Sequence, residues 1–190
     1  MQKLEAVNKM LVAIGLTSVS SIDGNQHPAV VDAVVVLDGV DNKIQARGWY
    51  FNTDYNLTLA HNEGTGEVIV PATTLAVNPT DTFSSLVQRG TKLYDRKNAT
   101  FVIGESVEVT LIQLLDFTYL PENAAEYISD RATRDFIRDK TGDQQKIKTI
   151  EADIVSSFAR LNSENIKHNN VKIADNPTVV NVMSGIYPAW

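Results

Sequence analysis

The side chains that could do chemistry are few and badly spaced for it. His27, His61 and His168 lie in three separate segments, and the chain has no cysteine. A zinc site needs His, Cys or carboxylate ligands at short, regular spacing, so no metal set assembles. No nucleophile elbow occurs, and no Ser-His-Asp set stands out. The acids that could act as a pair are Glu63, Glu67, Glu105 and Glu108. Glycoside hydrolysis requires two carboxyl groups about 5–10 Å apart across a sugar. Glu105 and Glu108 project to opposite faces of an extended strand, while Glu63 and Glu67 flank a hairpin turn. Gly64-Thr65-Gly66 precedes a strand, not a helix, and so reads as that turn and not as a phosphate loop. No catalytic, cofactor-binding or metal-binding residue is therefore assigned; glycan hydrolysis by the four glutamates stands as the alternative reading.

The elements that carry these residues change period twice along the chain. Leu4, Val7, Leu11 and Ile14 recur at helical spacing and Gly15 follows, which predicts a first helix over about residues 2–14. Between Pro28 and Gly48 the valines favour strand, but Ala33, Leu37, Val40 and Ile44 keep one helical face. Length and the bracketing Pro28 and Gly48 decide for a second helix. Short strands follow: 49–52, 57–60, 67–70, 75–77, 86–88, 92–94, 100–103 and 107–114, separated by Gly, Asn, Asp and Pro. Val107, Val109 and Leu111 alternate with Glu108 and Thr110, as in an antiparallel strand with one wet face. Helices return at Pro121, with Tyr127, Ile128, Phe136 and Ile137 as the buried side. Asp130–Arg134 and Arg131–Asp135 are read as i,i+4 pairs on the wet side. A last helix runs from an Asp143 cap to His168 on the stripe Ile147, Ile150, Ile154, Phe158, Leu161.

Charge narrows the function further. The 190 residues carry a net charge of −6. Between Trp49 and Leu120 eight acids face only four bases, Arg89, Lys92, Arg96 and Lys97. No basic stripe interleaved with aromatics exists, which argues against a protein that grips nucleic acid. The longest apolar runs, Met10–Ile14 and Ala33–Leu37, have five residues each, far short of a membrane span, and no signal peptide is readable. The Asn56-Leu57-Thr58 and Asn98-Ala99-Thr100 sequons then lack a route to glycosylation.

Two segments look outward. In Gln45-Ala46-Arg47-Gly48-Trp49-Tyr50-Phe51-Asn52, Trp49 and Phe51 alternate with Tyr50, so one face packs inward; core packing is the first reading of these aromatics and a partner contact through Tyr50 the second. Beyond His168 the sequence is apolar without a helical stripe, too greasy for a free linker, so it either packs back on its own domain or docks on another chain, and docking is the reading taken. Tyr50 and the tail residues Ile186, Tyr187, Pro188 and Trp190 are the expected partner-contact set.

Several blocks in order give the chain a resemblance. They are Leu4-Glu5-Ala6-Val7-Asn8-Lys9-Met10-Leu11-Val12-Ala13-Ile14-Gly15, the Gln-x-Arg-Gly-Trp-x-Phe-Asn core at 45–52, and Val68-Ile69-Val70-Pro71. Arg89-Gly90-Thr91-Lys92-Leu93-Tyr94-Asp95 and Asp116-Phe117-Thr118-Tyr119-Leu120-Pro121-Glu122 follow, then Tyr127-Ile128 and Ala132-Thr133-Arg134-Asp135-Phe136. Over residues 4–165 the chain resembles the tail tubular protein A family of short-tailed bacteriophages, the adaptor or gatekeeper proteins. Leu16-Thr17 departs from the acidic, proline-containing turn usual after the first helix.

The resemblance implies a structural virion protein at the head–tail junction, made in the bacterial host cytoplasm. It implies a ring of about twelve copies between the portal protein and the tail nozzle (tail tubular protein B). DNA passes through the ring without sequence-specific binding, and no membrane or cofactor is involved. The alternative becomes a tail-associated hydrolase acting on host surface polysaccharide. The expected fold is α+β: a four-helix bundle-like unit (1–48 and 119–168), a small antiparallel β region (49–118) inserted between helices 2 and 3, and an extended C-terminal tail (169–190).

Overall fold

The computed structural model describes residues 1–24 and 27–174. Its elements are α1 (Lys3–Ala13), α2 (Pro28–Gln45), β1 (Thr53–Leu59), β2 (Thr74–Pro79), β3 (Leu86–Arg89), β4 (Lys92–Asp95), β5 (Val107–Gln113), α3 (Glu122–Lys140) and α4 (Gln144–Ala174). The fold is mixed helix and antiparallel sheet, the α+β class expected. The expected contact residues Ile186, Tyr187, Pro188 and Trp190 lie outside the described residues. The backbone divides into two compact units: Met1–Leu37 with the chain from Pro121 on, and Asp38–Leu120.

In the first unit α3 packs against both α1 and α4. The α1 helix ends as its glycine foretells. Gly15 sits at φ +86°, the Gly15 N–H donates to the Val12 carbonyl and the Leu16 N–H to that of Leu11. This pair of bonds satisfies carbonyls that a helix end leaves open. On α3, Ala124, Ile128, Ala132 and Phe136 are fully buried, and Tyr127 meets Phe158 of α4 with ring centroids 5.3 Å apart. The α4 stripe holds, with Ile147, Ile150 and Leu161 buried. The helix continues past His168 to Ala174.

Asp130 corrects the sequence reading. Its side chain is 3% exposed and accepts from the Lys9 ammonium of α1 at 2.5 Å. Arg134 instead pairs with its neighbour Asp135 at 2.7 Å. The i,i+4 rule describes an isolated helix, whereas packing of α1 turned this side of α3 inward.

The second unit begins inside α2, whose valines proved compatible with a helix because Ala33, Leu37, Val40 and Ile44 supply a continuous buried stripe. Its β region forms two antiparallel sheets, one in the order β1-β5-β2 and the other the β3–β4 hairpin. The inner faces share one core of Leu59, Val68, Val70, Leu86, Leu93, Val107, Val109 and Leu111. Two sheets that meet on their inner faces turn their outer faces away from each other. On β5 the alternation is as expected, with Val107, Val109 and Leu111 inward and Glu108 exposed opposite Thr58.

The expected strands 67–70 and 100–103 contribute single bridges only: Glu67 to Val102, Val68 to His61, Ile69 to Lys92 and Asp95 to Thr100. The expected strand 49–52 is a turn, and β1 starts after it at Thr53.

Candidate functional site

The segment 45–52 shows why that strand fails. Asn52, almost fully buried, accepts from the Trp49 N–H at 2.8 Å through Oδ1, and its own N–H donates to the Trp49 carbonyl at 3.1 Å. The two bonds close a turn that competes with sheet pairing. The Asn52 Nδ2 donates at 2.9 Å to the carbonyls of both Gln45 and Gln113. Gln45, with no exposed surface, donates to Asp41 Oδ1 at 2.8 Å and to the Leu115 carbonyl at 2.9 Å, and accepts from the Leu115 N–H at 2.9 Å. Buried amides are tolerated only when so satisfied.

Trp49 is part of this scaffold. Its indole Nε1 donates to the Ile44 carbonyl at 2.8 Å, and Arg47 lies 5.6 Å from the ring centroid. Tyr50 is half-buried and packs edge-on to Phe51 with ring centroids 5.4 Å apart. The motif thus ties the end of α2 to β5, a structural staple with no cleft in it.

Of the four acids, Glu67 is engaged and the other three are exposed. Glu67 takes the Lys92 ammonium at 2.7 Å. Glu63 is exposed in the turn at 62–66, Glu105 is exposed before β5, and Glu108 stands on the outer face of β5. In the turn, Asn62 Oδ1 accepts from the N–H groups of Gly64 at 2.9 Å and Thr65 at 3.0 Å. The donors an anion would need are already taken.

His61 keeps its Nδ1 buried without a hydrogen-bond partner. Among the described residues no group of three His, Cys, Asp or Glu could hold a metal ion. Nor is any helix among them long and apolar enough to cross a membrane.

A groove of about 720 Å³ runs along α3 and α4, with charged and hydroxyl side chains among its lining residues. Four of its charges pair within it, Arg160 with Glu126 and Lys167 with Glu164, each at 2.7 Å, while Glu122 takes the Met1 ammonium. The Lys167 ammonium, by hydrogen bond and by charge, holds the Glu164 carboxyl below the usual range.

Two features escaped the sequence reading. The Lys9–Asp130 pair joins residues far apart in the chain, with no local signal. The burial of Gln45 and Asn52 was foreshadowed only by their place in a recurring block. No curated protein matches this chain. A family model described as tail tubular protein matches residues 4–175, nearly the whole chain. The chain belongs to the tail tubular protein family and is a structural component of the bacteriophage tail.

Proposed function

We propose that the chain is the head-to-tail adaptor of a short-tailed phage: copies form a ring, about twelve in number, between portal and nozzle. The ring continues the DNA channel and helps retain the packaged genome. In this reading the helices form a bundle-like unit that, with the C-terminal tail, faces the portal, and the β region faces the nozzle, tail tubular protein B. Tyr50, Ile186, Tyr187, Pro188 and Trp190 contribute partner contacts. The protein is made in the host cytoplasm, breaks no bonds and takes no cofactor.

The observation that carries this reading is the family match over residues 4–175. Its physical support is charge. A net −6 per copy repels phosphates, so DNA slides past without being gripped. Gln45, Trp49 and Asn52 of the family block at 45–52 are held in a buried staple, as expected of a part valued for shape.

Imaging of purified virions tests it, with a ring of this chain expected at the vertex between portal and nozzle. Virions in which the chain occupies no such position overturn it. A chain ending at Ala174 is expected to fold and yet fail to join the portal; normal joining removes the tail from the contact set.

A further inference from the structure

We propose that the β region docks head to tail on the β region of a second copy. The outer face of the β3–β4 sheet on one copy meets the outer face of β1–β5 on the next. The inference rests on the ring reading above and names the surfaces that would build it.

The first surface is apolar and exposed where a sheet face should be polar. The bridges Glu67–Val102 and Ile69–Lys92 put these four side chains on one side, while Val68, Val70 and Leu93 fill the core on the other. Ile69 is 58% and Val102 59% exposed. Tyr94, paired with Val87, continues the same face and meets Phe101 edge-on at 4.9 Å. The Arg89 guanidinium lies 3.6 Å from the Tyr94 ring centroid. Among the described residues no carboxylate pairs with Arg89. Stacked aromatics and arginine are the residue types that dominate protein interfaces.

Charge identifies the occupant. All four bases of residues 49–120 lie in the short stretch Arg89–Lys97, while most of the eight acids lie elsewhere. The opposite outer face carries one of them, Glu108, beside Thr58 and Thr110. The Glu108 carboxylate has no hydrogen-bond or ion-pair partner among the described residues. A cation-tipped apolar face and a polar face that presents the Glu108 carboxylate, turned to opposite sides of one shared core, are complementary between copies. They are also unlike, so the contact is heterologous and repeats from copy to copy.

A nucleic-acid partner fits less well. Lys92 is neutralised by Glu67, and Arg96 is spent on the carbonyls of Ser84 at 2.9 Å and Ser85 at 3.2 Å. On the apolar face itself Arg89 is then the cation left without a carboxylate among the described residues, where a phosphate backbone would need several.

The absence of native cysteine makes the test direct. Full-length Ile69→Cys and Thr58→Cys chains, one of them tagged, are mixed and treated with a short bis-maleimide. Unlike pairs are expected to exceed like pairs about tenfold, because a head-to-tail contact joins only different faces. A chain carrying both cysteines is expected to give a ladder of oligomers.

Arg89→Glu and Glu108→Arg should each cut the unlike cross-link about fivefold or more, and the R89E/E108R chain should restore it. Circular dichroism confirms that each variant folds. The proposal is overturned by like pairs predominating, by no cross-link at high concentration, or by failure of the charge swap to rescue. It is equally overturned if a short DNA duplex, and not a second copy, is bound and lost in R89E. If imaging finds the ring while these cross-links fail, only the face assignment falls. If the cross-links form and no ring sits at the junction, the adaptor reading falls alone.

Discussion

The Nδ2 group of Asn52 donates to the main-chain carbonyl of Gln45 at 2.9 Å, and this one bond joins the end of a helix to the turn that opens the β region. The same amide reaches Gln113, so a single side chain satisfies two buried carbonyls and, through its oxygen, the Trp49 N–H.

Asn52→Ala leaves the Trp49 N–H without its acceptor and removes the amide from the Gln45 and Gln113 carbonyls, of which Gln45 keeps the Gly48 N–H at 3.0 Å. Because buried unpaired groups cost the full desolvation penalty, the variant should lose about 2–4 kcal/mol of stability. Urea unfolding measures this. A loss within the scatter of ordinary surface substitutions would remove the staple from the account.

Gly48 is held at φ +72°, and a Cβ there would lie 2.7 Å from Ile112 Cδ1. Gly48→Ala should therefore cost about 2–3 kcal/mol, of which about 1–2 is backbone strain. Adding Ile112→Val deletes Cδ1 and should return the steric part only. Denaturation midpoints of the two variants separate the terms; complete rescue would mean that the backbone term is absent.

Lys9→Met leaves the Asp130 carboxylate buried without its cation and should destabilise by about 3 kcal/mol. The Lys9→Met/Asp130→Leu chain should recover most of that, since an apolar pair of similar volume replaces the ions. A double variant no better than the single one contradicts this pairing.

The Lys97 backbone N–H, 2.8 Å from Asp95 Oδ1, and the Asn98 side-chain amide hold the Asp95 carboxyl below the usual carboxylate range. A carboxyl with a depressed pKa lends stability above its unfolded value and withdraws it as pH falls through the folded one. The turn after β4 should accordingly loosen only under acid conditions. Following the Lys97 amide by NMR against pH gives the readout, with the acid-side step absent in Asp95→Asn.

The helices were legible because their buried stripes are local. Ile147, Ile150, Leu161 and the α2 residues Ala33, Leu37, Val40 and Ile44 are buried as their 3.6-residue period requires. Gly15 and the β5 alternation were read for the same reason, since neighbours in sequence decide them. The family, too, was readable, from blocks in order over most of the chain. Tertiary structure alone decided the rest. Trp49–Asn52 became a turn because the Asn52 amide found carbonyls brought by α2 and β5, and Asp130 went inside because α1 delivered Lys9 to it. Which strands share a core, and therefore which faces look outward, is likewise set by pairings between distant segments, on which no local period bears.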